Sequence, residues 1–288
     1  MRYQDEDGTL ITLYQRNERV GGLVWGVRQA VEDIFISRHV IVRLFWRDFV
    51  EQFRQKMLGY FWALLNPLFG ITSFIFFFFV GVLKPGEGEI PFVIYALVGS
   101  TIWGCLPGAM GVVSGGLQAQ SDLVMRTRIP KLALAVSSLS GLFYGIFVSM
   151  GTMTIFFLIV GVTPSIWFFA YPVLVLPMVL LGTAMGLVLS VLGPIARDII
   201  PITGHALSFV MYITPVIYTP STIQNRFIKA LIEWNPITYL VDVPRSLICL
   251  GHTVNSNAYL FVAVTTIFFI VVGLRVFYLL EDMVAERL

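Results

Sequence analysis

Apolar residues in this chain collect into long runs, and polar residues fall mainly in the segments between them. Six of these runs reach the roughly 20 residues that a helix needs to cross a bilayer. They occupy residues 59–83, 90–113, 132–162, 166–192, 199–218 and 258–280. Because lipid offers no hydrogen-bond partner to an open backbone, each run is predicted to be helical. The pattern therefore predicts an all-α membrane protein whose residues 59–280 form a six-helix transmembrane domain.

The segment before the first run has a different period. Its apolar residues recur every four positions, at Phe45, Phe49, Phe53 and Met57, and charged residues fall on the other side. This spacing predicts an amphipathic helix whose aromatic rings lie in the headgroup region of the membrane. A weaker helical pattern over residues 23–37 predicts an earlier helix that pairs with it. Residues 1–58 are thus expected to form a cytoplasmic N-terminal region.

The segment between the last two runs, residues 219–251, contains apolar stretches that are too short to cross a bilayer. They cover residues 227–234 and 237–250 and are separated by Pro236. Short, interrupted apolar stretches at this place predict re-entrant helices that dip into the outer leaflet. The alternative is an external amphipathic loop that lies flat on the membrane.

Lysine and arginine are distributed unequally between the two sides of this topology. Fifteen of them fall on the side of the N-terminal region, whereas four fall on the other side, at Lys84, Arg226, Lys229 and Arg245. Cytoplasmic loops of membrane proteins carry the excess of positive charge. Both termini, the loop at 114–131 and the tail at 281–288 are therefore predicted to be cytoplasmic.

Composition supports the membrane assignment. The chain is 57% hydrophobic and 12% charged, whereas soluble domains carry about 25% charged residues. The two cysteines, Cys105 and Cys249, have neither the spacing of a metal site nor that of a disulfide framework. These features predict a multi-pass membrane protein.

Motifs for chemistry are missing from the sequence. It contains no GxxxxGK[ST] loop for ATP phosphates, and no GxSxG, HExxH or CxxC pattern. The predicted spans carry almost no ionisable side chain apart from His205, which disfavours coupling to an ion gradient. The missing motifs disfavour an enzyme and predict that the chain holds no cofactor or metal of its own. A membrane-embedded glycolipid-processing enzyme and a structural subunit are the alternatives from other classes.

The loop SDLVMRTRIPKL, residues 121–132, concentrates charge around a proline. Asp122, Arg126 and Arg128 offer charge-assisted contacts, and Pro130 stops a helix. The cations are either anchors that follow the positive-inside bias or a contact for a cytosolic partner. On the opposite side, Tyr212, Tyr218, Trp234 and Tyr239 either line a path for sugars or belong to the aromatic belt at the interface.

Three sequence motifs, in this order and topology, resemble one known family. RDFVEQFRQKMLGYFWALLNPL, DLVMRTRIPKLALAVSS and EWNPITYLVDVPRSLI are similar to segments in the membrane subunit of ABC-2-type polysaccharide exporters. The resemblance covers about residues 38–280. It implies export of a lipid-linked polysaccharide, such as O-antigen, capsular polysaccharide or teichoic acid, across the bacterial cytoplasmic membrane. An ABC-2 exporter of a drug or a lipid shares this topology and is the alternative within transport.

The resemblance also implies partners and site residues. The family's permeases form homodimers that bind two copies of a separate ATPase, which holds ATP and magnesium. Periplasmic or outer-membrane export factors are a further class of expected partner, and nucleic acid is not. The residues implied to contact the ATPase are Arg47, Asp48, Arg54, Asp122, Leu123, Arg126, Arg128 and Pro130. Those implied for the substrate path and exit are Tyr212, Tyr218, Trp234, Asn235, Pro236, Tyr239 and Arg245.

Overall fold

The structure, a computed structural model, describes residues 2–4, 10–12, 22–54, 72, 76, 80, 90–121, 129–196, 198–220, 223–253 and 255–285. The described α-helices are α1 (Leu23–Arg54), α2 (Phe92–Ala119), α3 (Lys131–Ser137), α4 (Ser140–Val160), α5 (Tyr171–Leu174), α6 (Leu176–Leu192), α7 (Ile199–Ile213), α8 (Arg226–Trp234), α9 (Pro236–Leu250) and α10 (Ser256–Ala285). A 3-10 helix at Ile166–Ala170 leads into α5. Two short strands, β1 (Arg2–Gln4) and β2 (Leu10–Thr12), pair antiparallel near the N-terminus. The predicted all-α architecture therefore applies to the membrane part, which this hairpin precedes.

Four described segments are long and apolar enough to cross a membrane. They are Phe92–Ala119, Lys131–Val160, Ile166–Leu192 and Ser256–Glu281. These segments correspond to the predicted second, third, fourth and sixth spans. The predicted first span, 59–83, lies outside the described residues except for three single positions.

The predicted fifth span, 199–218, is shorter than expected. Its helix α7 ends at Ile213, and Thr214 has an extended backbone with ψ of 132°. Pro215 follows, and a proline disfavours helical geometry in the residue before it. Residues 214–218 consequently leave the helix, and most of this segment is buried against the bundle.

Helix α6 lies at the centre of the bundle, between α2 and α10. A side chain at Gly182 would overlap the Leu106 carbonyl oxygen of α2, and one at Gly273 of α10 would meet the backbone of Ala184. Small residues allow this close approach of membrane helices. The spacing Gly182/Gly186, a general signal for helix contact, therefore serves packing within the chain.

Helix α1 is one continuous helix of 32 residues rather than the two helices predicted. Ala30 is buried in a cluster with side chains of α2, α3, α6 and α10. Another flank exposes large apolar side chains, including Val31, Phe35, Val42 and Trp46. An exposed apolar flank is what an interfacial helix offers to lipid, and the location of α1 at the membrane surface stays a prediction.

Both short apolar stretches between the last two spans form helices, α8 and α9. Asn235 separates them, and its side-chain oxygen accepts the Ile237 backbone N–H at 3.1 Å, which caps α9. Pro236 follows at the first helical position, where its missing N–H leaves no bond unmade. The predicted dip of these helices into the outer leaflet stays a prediction.

Candidate functional site

Arg245 in α9 is fully buried, with 0% of its surface exposed. One terminal nitrogen donates to the carbonyl oxygens of Pro215 and Val216, at 2.9 and 3.1 Å. The other lies 2.6 Å from a carboxylate oxygen of Asp242, one helical turn earlier. The two carbonyls are available because residues 214–218 have left helix α7 and no longer use them within that helix.

An aromatic ring and a glycine of α2 complete the surroundings of this guanidinium. The Arg245 guanidinium lies 3.6 Å from the centroid of the Tyr95 ring, as in a cation–π contact. The Tyr95 hydroxyl donates to the Tyr218 carbonyl oxygen at 3.1 Å. A Cβ on Gly99 would overlap the Val216 carbonyl oxygen. We call Tyr95, Gly99, Val216, Asp242 and Arg245 the Arg245 cluster.

Nearby polar side chains extend the same attachment. The Asn235 amide donates to the Thr214 hydroxyl at 2.9 Å, and this bond joins the start of α9 to the end of α7. The Tyr239 hydroxyl donates to the Glu233 carbonyl oxygen at 2.9 Å, across the junction of α8 and α9. These contacts attach α9 to the end of α7, and α8 to α9.

The residues predicted for a substrate path divide into two groups. Arg245, Asn235 and Pro236 take part in the packing of α9, whereas Trp234 and Tyr212 are 87% and 66% exposed. The Tyr218 hydroxyl donates to the Tyr212 carbonyl oxygen at 2.9 Å. The exposed rings are available to a partner or to substrate. A role for any of these residues in transport stays a prediction.

The cysteines are buried and unpaired. Burial is the main cause that raises the pKa of the Cys249 thiol to about 12, although nearby Arg245 acts in the opposite direction. The thiol therefore stays protonated at neutral pH, as expected for a structural rather than a reactive cysteine.

A second group of contacts fastens the first half of α1 to the end of α10. The Tyr278 hydroxyl donates to the Asp33 carboxylate at 2.7 Å, and the Tyr278 ring packs edge-on against Trp25 with centroids 5.9 Å apart. A Cβ on Gly26 would lie 3.4 Å from the backbone of Arg275 in α10. We call Trp25, Gly26, Asp33, Arg275 and Tyr278 the α1–α10 seam.

The second half of α1 packs on α4 through aromatic rings. Phe45 lies against Phe143, with centroids 5.8 Å apart, and Phe49 lies against Tyr144 at 6.2 Å. Phe45 and Phe49 belong to the four-residue repeat of the sequence, and both are partly buried. The repeat thus contributes to packing within the protein as well as to the predicted membrane contact.

A cavity of about 490 Å³ opens beside this half of α1. Its lining residues come from α1, the end of α2 and the junction of α3 with α4: Arg47, Asp48, Glu51, Gly111, Val112, Gly115, Gly116, Ala119, Gln120, Ser138, Ser140 and Gly141. Arg47 and Asp48 form an ion pair at 2.7 Å, in which the arginine side chain is 52% exposed and the aspartate 19%. We call this space the α1 cavity.

The structure describes only part of the predicted ATPase contact. Arg47 and Asp48 line the α1 cavity, and Pro130 directly precedes α3. Arg54 is the last residue of α1, and only its backbone is described. Asp122, Leu123, Arg126 and Arg128 lie outside the described residues. Gln120, which lines the α1 cavity, precedes that loop in sequence.

Sequence reasoning missed several residues of these sites. Tyr95 and Gly99 stand in an apolar run, and no local pattern links them to an arginine about 150 positions later. Gln120 gave a weak signal, because it is an amide at the polar end of a span. Asp33 and Tyr278 gave none, since nothing in either segment indicates that α1 and α10 meet.

Comparisons with known proteins agree on one kind of protein. A family model described as ABC-2 type transporter matches residues 39–249. An O-antigen export system permease protein RfbA of Klebsiella pneumoniae is 24% identical over 246 residues, which cover 84% of this chain and 92% of the relative. The protein of the same name from Myxococcus xanthus is 24% identical over 212 residues, which cover 73% of this chain and 80% of the relative.

Proposed function

The chain belongs to the ABC-2 type transporter family, and from that premise we propose that it is the transmembrane subunit of an ATP-driven exporter of a lipid-linked polysaccharide. It is a multi-pass protein of the inner membrane, as the family and its apolar helices indicate. The observation that carries the proposal is its similarity, over most of its length, to permeases named for O-antigen export. The resemblance seen in the sequence motifs is thereby confirmed at the level of the family.

Energy for export must come from outside this chain. The sequence has no GxxxxGK[ST] loop, so it lacks the motif that cradles ATP phosphates. We assign ATP and magnesium to a separate cytoplasmic ATPase, with two copies on a homodimer of this chain. The transport subunit then changes shape in response to its partner and performs no covalent chemistry.

Helix α1 is suited to carry that response. Its 32 residues span about 48 Å. One end is fastened to α10 by the α1–α10 seam, and the other packs on α4 through Phe45 and Phe49. A displacement of α1 by the ATPase would therefore act on two membrane helices at once.

The charged corner beside the α1 cavity is the proposed place of contact. Arg47 and Asp48 lie at the cavity, and Arg54 ends the same helix. Asp122, Arg126 and Arg128 follow the last lining residue of α2 in sequence. Charged side chains form strong hydrogen bonds with oppositely charged groups of a partner. On the other side, the exposed rings of Tyr212 and Trp234 offer faces on which sugars can stack.

Co-purification with an ATPase tests the assignment. The full-length chain, tagged and extracted from its host in mild detergent, should bring down a P-loop ATPase. Vesicles that contain both subunits should move lipid-linked glycan when ATP and magnesium are supplied. Translocation of glycan by this chain alone, without nucleotide, would contradict the proposal, and so would transport of a drug or a simple lipid in place of glycan.

A charge-reversal pair tests the place of contact. Arg126→Glu with Arg128→Glu should abolish both ATPase association and export, because the loop would repel acidic groups of the partner. Lys229→Glu, at an exposed position in α8, is the matched control and should leave association intact. Equal association of all these variants would remove the loop from the proposed interface.

A further inference from the structure

The α1 cavity has properties that a docking surface for the ATPase does not require. Its volume of about 490 Å³ falls within the roughly 300–1,000 Å³ of small-molecule sites. Glycines keep the space open, since a Cβ added at Gly111 or Gly115 meets nothing within 4 Å in the part of the chain that is described. The cavity is thus large enough for a small ligand and has polar groups on its walls.

Gln120 points to a ligand in this cavity. Its side chain lines the cavity, and the residue is only 9% exposed. Within the described residues, its amide oxygen has no hydrogen-bond partner, while its amide nitrogen lies 3.4 Å from the Ser137 hydroxyl. A buried acceptor without a donor destabilises the folded state. Such a group is explained when a bound molecule supplies the missing donor.

The polar groups of the lining identify the chemical class of that molecule. The Asp48 carboxylate and the Gln120 oxygen accept hydrogen bonds, and the Arg47 guanidinium donates them. The Ser138 hydroxyl already donates to the Ala135 carbonyl oxygen at 2.6 Å, so it offers an acceptor to a ligand. A phosphate in this space would meet two carboxylates, and a cation would meet Arg47. Sugar hydroxyl groups are neutral and both donate and accept, so they match the mixed lining.

We propose that the α1 cavity, through Gln120, Asp48 and Arg47, binds one neutral sugar residue of the glycan. This inference rests on the proposed function and adds to it a cytoplasmic subsite for the substrate. The sugar would bind beside the helix that receives the ATPase, so loading of substrate and movement of α1 would be coupled. A subsite of this kind would let the exporter detect glycan before it consumes ATP.

Direct binding of sugars tests the subsite. The full-length chain in lipid nanodiscs is titrated with the methyl glycosides of glucose, galactose, mannose, rhamnose and N-acetylglucosamine, and saturation-transfer NMR reports binding. Inorganic phosphate and guanidinium are titrated in parallel as anionic and cationic probes. Binding of at least one glycoside, with no displacement by phosphate or guanidinium, is the expected result.

Two variants locate the binding, and a third is their control. Gln120→Leu removes the unpaired acceptor and should weaken glycoside binding about five-fold, with a melting temperature equal to or above that of the natural chain. Gly115→Leu fills the cavity and should abolish binding. Gly104→Leu lies on the same helix, at an exposed position outside the cavity with nothing near its Cβ among the described residues, and should bind as the natural chain does.

The stability measurement separates a binding role from a structural one. A Gln120→Leu chain that melts lower would mean that the amide serves packing, and this would overturn the proposal. Failure of every glycoside to bind, unchanged binding by Gly115→Leu, or preferential binding of phosphate or guanidinium would also overturn it. Export in vesicles with the ATPase is measured separately. Normal export by Gly115→Leu would overturn only the sugar subsite, whereas no export by the natural chain would overturn the proposed function.

Discussion

Two arginine–aspartate pairs in the described part of the chain lie in opposite environments. Arg245 lies 2.6 Å from Asp242, and Arg47 lies 2.7 Å from Asp48. The Arg245 side chain is completely buried, whereas the Arg47 side chain is 52% exposed. The length of an ion pair therefore does not reveal its role, because the surroundings decide what each pair can do.

The surroundings differ in how many partners they supply. A buried guanidinium loses its hydration, so it must be compensated by a counter-charge and by further acceptors. Arg245 receives these from Asp242, two backbone carbonyls and the ring of Tyr95. It is therefore fixed, and it holds α9 in place. Arg47 keeps much of its hydration and lies at the edge of a cavity, where a partner or ligand can reach it.

Removal of the buried cation, Arg245, should have the largest effect on stability. Arg245→Ala leaves two carbonyls and Asp242 without their donor and should cost about 3 kcal/mol of unfolding free energy. Unfolding titrations in mixed SDS and maltoside micelles measure the loss. Arg226→Ala, at an exposed position in α8, is the control. Equal stability of the two variants would show that the Arg245 cluster is not an anchor.

Two glycines of α2, Gly99 and Gly104, compare a tightly packed position with an open one. Gly99→Ala would drive a methyl group into the Val216 carbonyl oxygen and should cost about 2 kcal/mol. Gly104→Ala meets nothing within 4 Å in the described part of the chain and should stabilise the helix by about 0.5 kcal/mol. The same titration compares them, and a Gly99→Ala chain as stable as the natural one would refute the close approach of α2 and residue 216.

Removal of the Tyr278 hydroxyl tests the attachment of α1 to α10. Tyr278→Phe removes the hydrogen bond to Asp33 while it keeps the ring packed on Trp25, and it should cost about 1 kcal/mol. Limited proteolysis should then cut α1 faster, because that helix opens locally before the bundle does. Tyr212→Phe, on an exposed ring, is the control. No change in the cleavage of α1 would mean that the α1–α10 seam does not fasten it.

The exposed pair should matter least for stability. Arg47→Ala should change the unfolding free energy by no more than about 0.5 kcal/mol, because exposed ion pairs contribute little. If Arg47 contacts the ATPase, the same variant should weaken ATPase association about five-fold. Arg28→Ala breaks another exposed pair of α1, with Glu32, and serves as the control in a pull-down titration. Equal weakening by both variants would place the contact elsewhere on α1.

Local patterns in the sequence predicted a large part of the described fold. Four predicted spans have counterparts among the described helices, with boundaries that differ by a few residues. The amphipathic repeat at Phe45 and Phe49 lies on a helix, as predicted. The predicted end of the fifth span was wrong. The apolar run continues to residue 218, but the helix ends at Ile213 because Pro215 disfavours helical geometry at Thr214.

The candidate sites were less accessible to sequence reasoning. Resemblance to the family indicated Arg47 and Asp48, and the structure brings both residues to the α1 cavity. Arg245 was assigned to a substrate path by resemblance, and the structure gives it a packing role that its sequence context did not reveal. Gln120 was not selected at all, because an unpaired acceptor is recognised only when its neighbours are known.

The sequence by itself determined that the chain enters a membrane as apolar helices, because bilayer thickness sets the length of each run and lipid forbids an open backbone. It also determined the charge asymmetry and the amphipathic period of α1. Only the tertiary structure decided which arginine is buried, since the partners of Arg245 come from residues 95, 215, 216 and 242. It alone decided, too, that glycines of α2 border a cavity beside Arg47, because a void arises from how helices pack and from no single segment.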